Sequence, residues 1–370
     1  MKYYIIAGEA SGDLHGSNLM KALKKKDPQA DFRVWGGDRM AAEGGELVKH
    51  FKDLAFMGFV EVVMNLRTIL GNLRFCKSDL DDYNPDALIL IDYPGFNLRM
   101  AEYAHLKGYK VIYYISPQIW AWKQNRVHKI KRTVDRMLCI LPFEKEFYAR
   151  FDFDVDFVGH PLIDAIDGRE VVNPVQRKDS LGLSEKPVIA LLPGSRKQEI
   201  SSMLPVMLKA VQKKKDYQVV IAAAPSQDRS FYEDLIGNAQ VEIVEGRTYD
   251  LLEVADAALV TSGTATLETA LFKVPEVVCY KGSWMSYWIA RQLVKVNYIS
   301  LVNLIMDKEV VTELIQGEMN PRRVEKELDL CLKGGHRKEL LENYDDLIEK
   351  LGGIGASDNA ADIIAEEVGL

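Results

Sequence analysis

Short apolar runs alternate along the chain with stretches whose apolar residues recur at helical spacing. Tyr3–Ala7 is a continuous run that predicts a buried strand, and a helical pattern from about Leu14 to Lys25 follows after a turn. Phe32–Trp35 reads as a second short strand. Ala87–Ile91 (Ala-Leu-Ile-Leu-Ile) reads as a strand covered on both faces, and Lys110–Ile115 and Met137–Leu141 repeat the theme. Beyond Val158-Gly159-His160-Pro161 the pattern weakens into a polar segment, Asp167 to Lys178, that reads as a linker. The alternation restarts with strand candidates Val188–Leu192, Gln218–Ala223, Val241–Val244, Ala257–Val260 and Glu276–Tyr280. Strands alternating with helices predict parallel sheets with right-handed crossovers. The expected architecture is α/β: two doubly wound domains, 1–165 and 180–345, on either side of a cleft, with a charged helical tail over 346–370. In each domain, ligands should sit beyond the carboxyl ends of the strands.

Composition is consistent with this picture. A chain of 370 residues can build two cores, and 48% apolar with 27% charged residues is an ordinary globular balance. Lys plus Arg (47) against Asp plus Glu (54) gives a net charge of −7, which argues against nucleic acid as a partner. Cys76, Cys139, Cys279 and Cys331 are widely spaced and form no CxxC pair, so neither zinc spacing nor a disulfide framework is expected, and a reducing cytoplasm suits them. The opening residues Lys2–Ala7 run straight into a glycine-rich turn without a signal-peptide pattern. The apolar stretch near 54–66 is broken by Glu61 and Asn65 and should not span a bilayer.

Candidate chemistry gathers at the predicted strand ends. The first strand delivers Gly8-Glu9-Ala10-Ser11-Gly12-Asp13, with glycines at every fourth position as far as Gly16. Such a turn lets backbone approach a ligand at a helix start, or merely packs well. It is not GxGxxG, which disfavours a dehydrogenase-type dinucleotide site. Asp92, after Ala87–Ile91, can accept a proton from a substrate hydroxyl or serve as a turn residue. Ser116, Trp120 and Trp122, ahead of Lys123 and Arg126, can hold a sugar and a phosphate or cover a helix end. In the second half, Gly194-Ser195-Arg196 offers a diphosphate a planar fork of donors. Ser262, Gly263, Thr264 and Ala265 make an anion site at a helix start, and Glu268 could reach a ribose hydroxyl pair. The alternative for Thr264 and Glu268 is a capping box, although their spacing is four rather than three. Asp79-x-Asp81 and Asp152-x-Asp154-x-Asp156 imitate metal motifs but lack companion ligands, so no metal or cofactor is expected.

In this order the segments resemble the lipid-A-disaccharide synthase family along nearly the whole chain. The matching segments are Gly8–Asp13, Met57–Val62, Ile91-Asp92 with Phe96-Asn97, Ser116-Pro117 with Trp120-Ala121-Trp122, and Leu141–Glu144. They continue with Leu192–Arg196, Ser262–Ala265 with Glu268, and Ser300-Leu301 with Asn303-Leu304. The resemblance implies a GT-B fold of two Rossmann-like domains, an N-terminal one for acceptor and lipid and a C-terminal one for the UDP-sugar. It also implies inverting, metal-independent transfer of 2,3-diacylglucosamine from UDP to 2,3-diacylglucosamine 1-phosphate (lipid X), giving a β-1′,6-linked disaccharide 1-phosphate and UDP. Where the family pattern reads Asp-x-Pro-Asp-Phe-Asn, the second Asp is here Gly95, so Asp92 becomes the better candidate base.

On this reading Asp92 and Arg196 are catalytic. Gly8, Glu9, Ser11, Gly12, Asp13, Ser116, Trp122 and Asn303 bind substrate. UDP meets Ser195, Arg196, Ser262–Ala265, Glu268 and Tyr280, with uracil near the Tyr280 backbone or the Arg247–Tyr249 loop. Met57, Phe59, Val60 and Val63, in an apolar stretch flanked by Arg67 and Arg74, are expected to meet acyl chains at the inner face of a bacterial inner membrane, or else to be core. A homodimer sharing C-terminal segments is a further implication. The competing readings are a UDP-N-acetylglucosamine 2-epimerase-like enzyme and a non-catalytic sugar-nucleotide-binding protein.

Overall fold

The computed structural model describes residues 1–54, 66–282 and 297–370. The chain divides into two compact units, the first made of Met1–Asp167 with Leu351–Leu370 and the second of Gly168–Lys350. The stretch read as a separate tail is therefore split. Residues 346–350 end the helix Gly335–Lys350 of the second unit, and the remainder returns to the first. The polar segment read as a linker crosses the boundary and runs into a short helix, Pro174–Ser180, whose start is capped by the Asn173 side chain.

The first unit is built on a seven-stranded parallel sheet of order β3-β2-β1-β4-β5-β6-β7. Its strands are β1 (Lys2–Ala7), β2 (Asp31–Gly36), β3 (Glu46–His50), β4 (Ala87–Ile91), β5 (Lys110–Tyr114), β6 (Arg136–Cys139) and β7 (Asp156–Phe157). All of β4, and all of β1 beyond Lys2, is buried, as unbroken apolar runs require when helices cover both faces. One core packs Ile5, Leu19, Leu23 and Ile89 against Ala360, Ala361 and Ile364 of the helix Ala356–Glu367.

A six-stranded parallel sheet of order β10-β9-β8-β11-β12-β13 organises the second unit. Its strands are β8 (Val188–Leu192), β9 (Gln218–Ala223), β10 (Glu242–Glu245), β11 (Ala255–Thr261), β12 (Glu276–Tyr280) and β13 (Thr312–Ile315). Val188, Ala190, Val220, Ala258 and Val260 form the centre of a core closed by Leu251 and Leu252. In each sheet the strand order reverses once, between β1 and β4 and between β8 and β11. At such a reversal the loops after the two strands diverge and leave room for a ligand.

Candidate active site

In the first unit the reversal brings together the turn after β1 and the turn after β4. The helix after β1 spans Ala10–Lys26, starting earlier than its periodicity indicates, with extended Glu9 as its N-cap. Glu9 and Ser11 are exposed, whereas Gly8, Gly12 and Asp13 are buried. Gly8 is required by its neighbour, since a Cβ there would lie 2.3 Å from Cγ of Tyr93. Gly12 packs the helix against β1, its would-be Cβ 3.0 Å from that of Ala7. Asp13, expected to bind substrate, has its carboxylate committed to backbone. Oδ1 accepts from the Gly37 and Met40 amides at 2.7 and 3.1 Å, and Oδ2 from Arg39 at 3.2 Å. Its role is to fix the start of the helix Asp38–Ala42.

Asp92 and Tyr93 both adopt left-handed backbone conformations, with φ of 42° and 47°. Ile115, at the corresponding point after β5, has φ 64°, an outlier for a β-branched residue. Strain of this kind persists only where surrounding contacts impose it. The buried amide of Asn97 supplies them, donating from Nδ2 to the carbonyls of Asp92 (2.7 Å), Ile91 (3.1 Å) and Ile6 (3.4 Å). The Tyr113 hydroxyl adds a second donor to the Asp92 carbonyl at 2.6 Å. Burial, and next the nearby Glu9 carboxylate, push the half-buried Asp92 carboxyl up to about 6.

Ser116 is buried, with its hydroxyl 2.8 Å from that of Tyr148. It supports the loop after β5 from behind rather than presenting a hydroxyl to substrate. Glu144 lies in the same buried cluster. Its Oε2 accepts the Leu141 amide at 3.1 Å, and burial raises its carboxyl to about 7. Trp122 is 52% exposed, with Lys123 Nζ 4.0 Å from its ring centroid, the aromatic-plus-cation surface that the sequence suggested. Met57, Phe59, Val60 and Val63 fall outside the described residues. The helix Leu66–Tyr83 that follows exposes Leu70 (46%) and Phe75 (50%), with Arg67 and Arg74 also at the surface.

In the second unit, Gly194 turns the chain after β8 with φ +106°, and Arg196 is the N-cap of the helix Lys197–Val211. The Arg196 side chain is 69% exposed and pairs with Glu199 at 3.1 Å. Ser195 is exposed, and its carbonyl accepts from Ser226 and Gln227 at 3.1 and 3.2 Å, which ties the loop after β8 to that after β9. After β11, Gly263 (φ 153°) precedes the helix Thr264–Leu271, which no side chain caps. Among the described residues a Cβ on Gly263 would meet nothing within 4 Å, so they leave the approach to this helix end open. Thr264 is exposed and Ala265 half-buried. The capping-box alternative does not hold, because Glu268 instead accepts the Tyr249 hydroxyl at 2.7 Å.

Ser262, expected to meet UDP, and Asn303, expected to meet substrate, are otherwise engaged. The Ser262 amide donates to the Cys279 carbonyl (3.1 Å) and its hydroxyl to that of Ile299 (2.8 Å), so neither donor faces a ligand. The Tyr280 carbonyl accepts the Gln316 amide at 2.8 Å. Asn303 is fully buried. Its Oδ1 accepts from Val310 and Val311, and its Nδ2 donates to the Val311 carbonyl and to Glu313, which also holds Ser300. Asn303 is thus a strut of the 299–313 segment. The spacing of Ser300 and Asn303 carried that signal, since the Ser300 side chain caps the helix Leu301–Met306 through the Asn303 amide. Asn97, Tyr113 and Glu144 are the residues that sequence reasoning did not single out as site residues.

Two parallel-sheet α/β units, each with its loops diverging at one strand-order reversal, are the architecture of the GT-B fold. Solved structures agree on the fold. UDP-GlcNAc 2-epimerase from Neisseria meningitidis matches with a TM-score of 0.66 at 14% identity, covering 99% of each chain. The calicheamicin glycosyltransferase matches with a TM-score of 0.61 at 16% identity, covering 100% of this chain and 98% of that one. The family described as lipid-A-disaccharide synthetase matches residues 3–368. The lipid-A-disaccharide synthase of Syntrophus aciditrophicus is 44% identical over 367 residues, covering 96% of this chain and 95% of that protein. That of Myxococcus xanthus is 40% identical over 370 residues, covering 98% and 96%. The chain belongs to the lipid-A-disaccharide synthase family and is a glycosyltransferase of lipid A biosynthesis.

Proposed function

We propose that the chain transfers 2,3-diacylglucosamine from its UDP donor to the 6-hydroxyl of lipid X, with inversion and without a metal. The observation that carries this reading is the strained Asp92 turn, where a carboxyl with a pKa raised to about 6 stands at the strand-order reversal. A base with a pKa near the working pH is ionised yet still basic enough to take a hydroxyl proton in the transition state. As the acceptor oxygen bonds to the donor C1, its proton passes to Asp92 and the C1–O bond to UDP breaks, leaving its electron pair on the diphosphate. Arg196 and the open helix start at Gly263–Thr264 neutralise that growing charge. The exposed Arg196–Glu199 pair contributes little to stability, so the guanidinium is free to re-pair with phosphate.

Among the described residues no helix is long and apolar enough to cross a membrane. We propose that the enzyme works at the inner face of the inner membrane. Leu70 and Phe75 would enter the interface, and Arg67 and Arg74 would meet anionic headgroups. The deciding experiment is disaccharide formation from the two lipid substrates in EDTA by wild type, Asp92→Asn and Arg196→Ala. Wild type should turn over. Asp92→Asn should lose on the order of 10²–10⁴ in kcat, and Arg196→Ala on the order of 10²–10³. An active Asp92→Asn enzyme would move the base elsewhere, and loss of wild-type product in EDTA would refute metal independence.

A further inference from the structure

Tyr249 stands in the short helix Thr248–Leu252 after β10, and its hydroxyl donates to Glu268 Oε1 at 2.7 Å. Its ring is held from two sides of the sequence. The Phe272 ring lies 5.3 Å away, and the Arg169 guanidinium carbon lies 5.4 Å from the Tyr249 centroid. Arg169 is itself fixed by ion pairs to Asp250 and, at 2.9 Å, to Glu253, and Arg177 braces the same two acids. A phenol placed this firmly leaves the carboxylate it holds little freedom to turn.

We propose that Tyr249 is a positioning residue for nucleotide recognition. It orients the Glu268 carboxylate to accept the hydroxyl pair of the UDP ribose, and so sets the discrimination between ribo- and 2′-deoxyribonucleotides. The inference rests on the reading of Glu268 as the ribose acceptor. Two adjacent hydroxyls can both donate to a carboxylate only if it is ionised and turned edge-on to them. Burial raises the Glu268 pKa and so favours the protonated form, which would offer one donor in place of an acceptor. The Tyr249 hydroxyl opposes that rise. It also fixes the outer torsions of a side chain that would otherwise have to be ordered on binding.

The test is calorimetric titration of the full chain with UDP and with 2′-deoxy-UDP, which needs no lipid substrate. Wild type should bind UDP on the order of tenfold or more tighter than its 2′-deoxy analogue. Tyr249→Phe keeps the ring between Arg169 and Phe272 and should reduce that ratio to within about threefold of unity. Glu268→Gln should do the same, whereas Arg196→Ala should weaken both ligands alike. If Tyr249→Phe folds poorly, Arg169→Gln loosens the ring without removing the hydroxyl and should lower the ratio partway. A preserved ratio in Tyr249→Phe beside a collapsed one in Glu268→Gln would overturn the inference and leave the ribose reading standing. A preserved ratio in Glu268→Gln would overturn both.

Discussion

The Asp92 carboxyl illustrates at the scale of one residue how function opposes stability. Its pKa rises from 3.8 to about 6 because burial and the neighbouring Glu9 charge both disfavour ionisation. The protonated form is therefore favoured by the fold, and the stability it confers is fully present below about pH 4 and lost as pH rises through about 6. At neutral pH the enzyme holds an ionised base at a cost. Asp92→Asn has the same shape, and Asn tolerates the left-handed conformation as Asp does. It should raise stability at pH 8 by on the order of 1–2 kcal/mol, read as thermal midpoint, while kcat falls by about 10²–10⁴. For the wild type, kcat/KM should fall along an acid limb near pH 6. Glu9→Gln removes a negative charge that raises the pKa, so the limb should move to lower pH. A limb that stays in place in Glu9→Gln would mean that the titrating group is not Asp92.

Between elements, the strands that the pattern hid share one physical feature that, apart from the edge strand β10, the strands it revealed lack. The central strands are buried on both faces and declare themselves as apolar runs. The unpredicted strands β3 (Glu-Leu-Val-Lys-His), β7 and β13 (Thr-Glu-Leu-Ile) are sheet edges, short and only partly buried, where nothing forces such a run. The site residues follow a similar division. Motifs drew Asp13, Ser262 and Asn303 out as ligand contacts, but residue type does not reveal whether a polar side chain faces a ligand or an orphan backbone group. Asn97 shows the converse, a motif residue whose task is to clasp the ends of β1 and β4. Asn97→Ala leaves the Asp92 carbonyl with the Tyr113 hydroxyl and lets the turn relax. A base displaced by about 1 Å costs on the order of 10² in rate, so kcat should fall about that far with KM little changed. Tyr113→Phe should have a smaller effect of the same kind. A rise in KM at constant kcat would assign Asn97 to binding instead of to the base.

Across the whole molecule, sequence order and structural membership diverge at the carboxyl end. Residues 351–370 follow the second unit in the chain yet belong to the first. The helix Ala356–Glu367 buries Ala360, Ala361 and Ile364 in the first unit's core, and pairs Lys25 with Asp358, Lys26 with Asp362 and Lys110 with Glu367. The segment 351–359 is clasped by its own unit. The His160 amide donates to the Leu351 carbonyl at 3.0 Å, and Asp164 accepts from the Gly355 and Ser357 amides at 2.7 and 2.9 Å. His15 and His160 are buried in this unit, and burial lowers their pKa values to about 4 and about 3. Both stay neutral in the fold but charge in the unfolded chain below about 6.5, so each removes about 1.4 kcal/mol per pH unit as pH falls from there toward its folded value. Asp92 and Glu144, whose raised pKa values make the fold take up protons in the same window, oppose this in the first unit, so the histidine contribution is read by difference: His15→Gln should make the first unit less sensitive to acid than the wild type. Deleting 351–370 should single out the same unit at neutral pH. Each buried aliphatic side chain contributes about 1.5–3 kcal/mol, and a whole domain is stable by only about 5–15 kcal/mol. Losing Leu351 and Ile364 together with the clasp therefore removes much of that margin. Limited proteolysis of the truncated chain should digest residues 1–167 and spare a fragment near 168–350, although the cut lies beside the second unit in sequence. Survival of the first unit, or joint loss of both, would show that the returning helix is not what holds the first sheet's core closed.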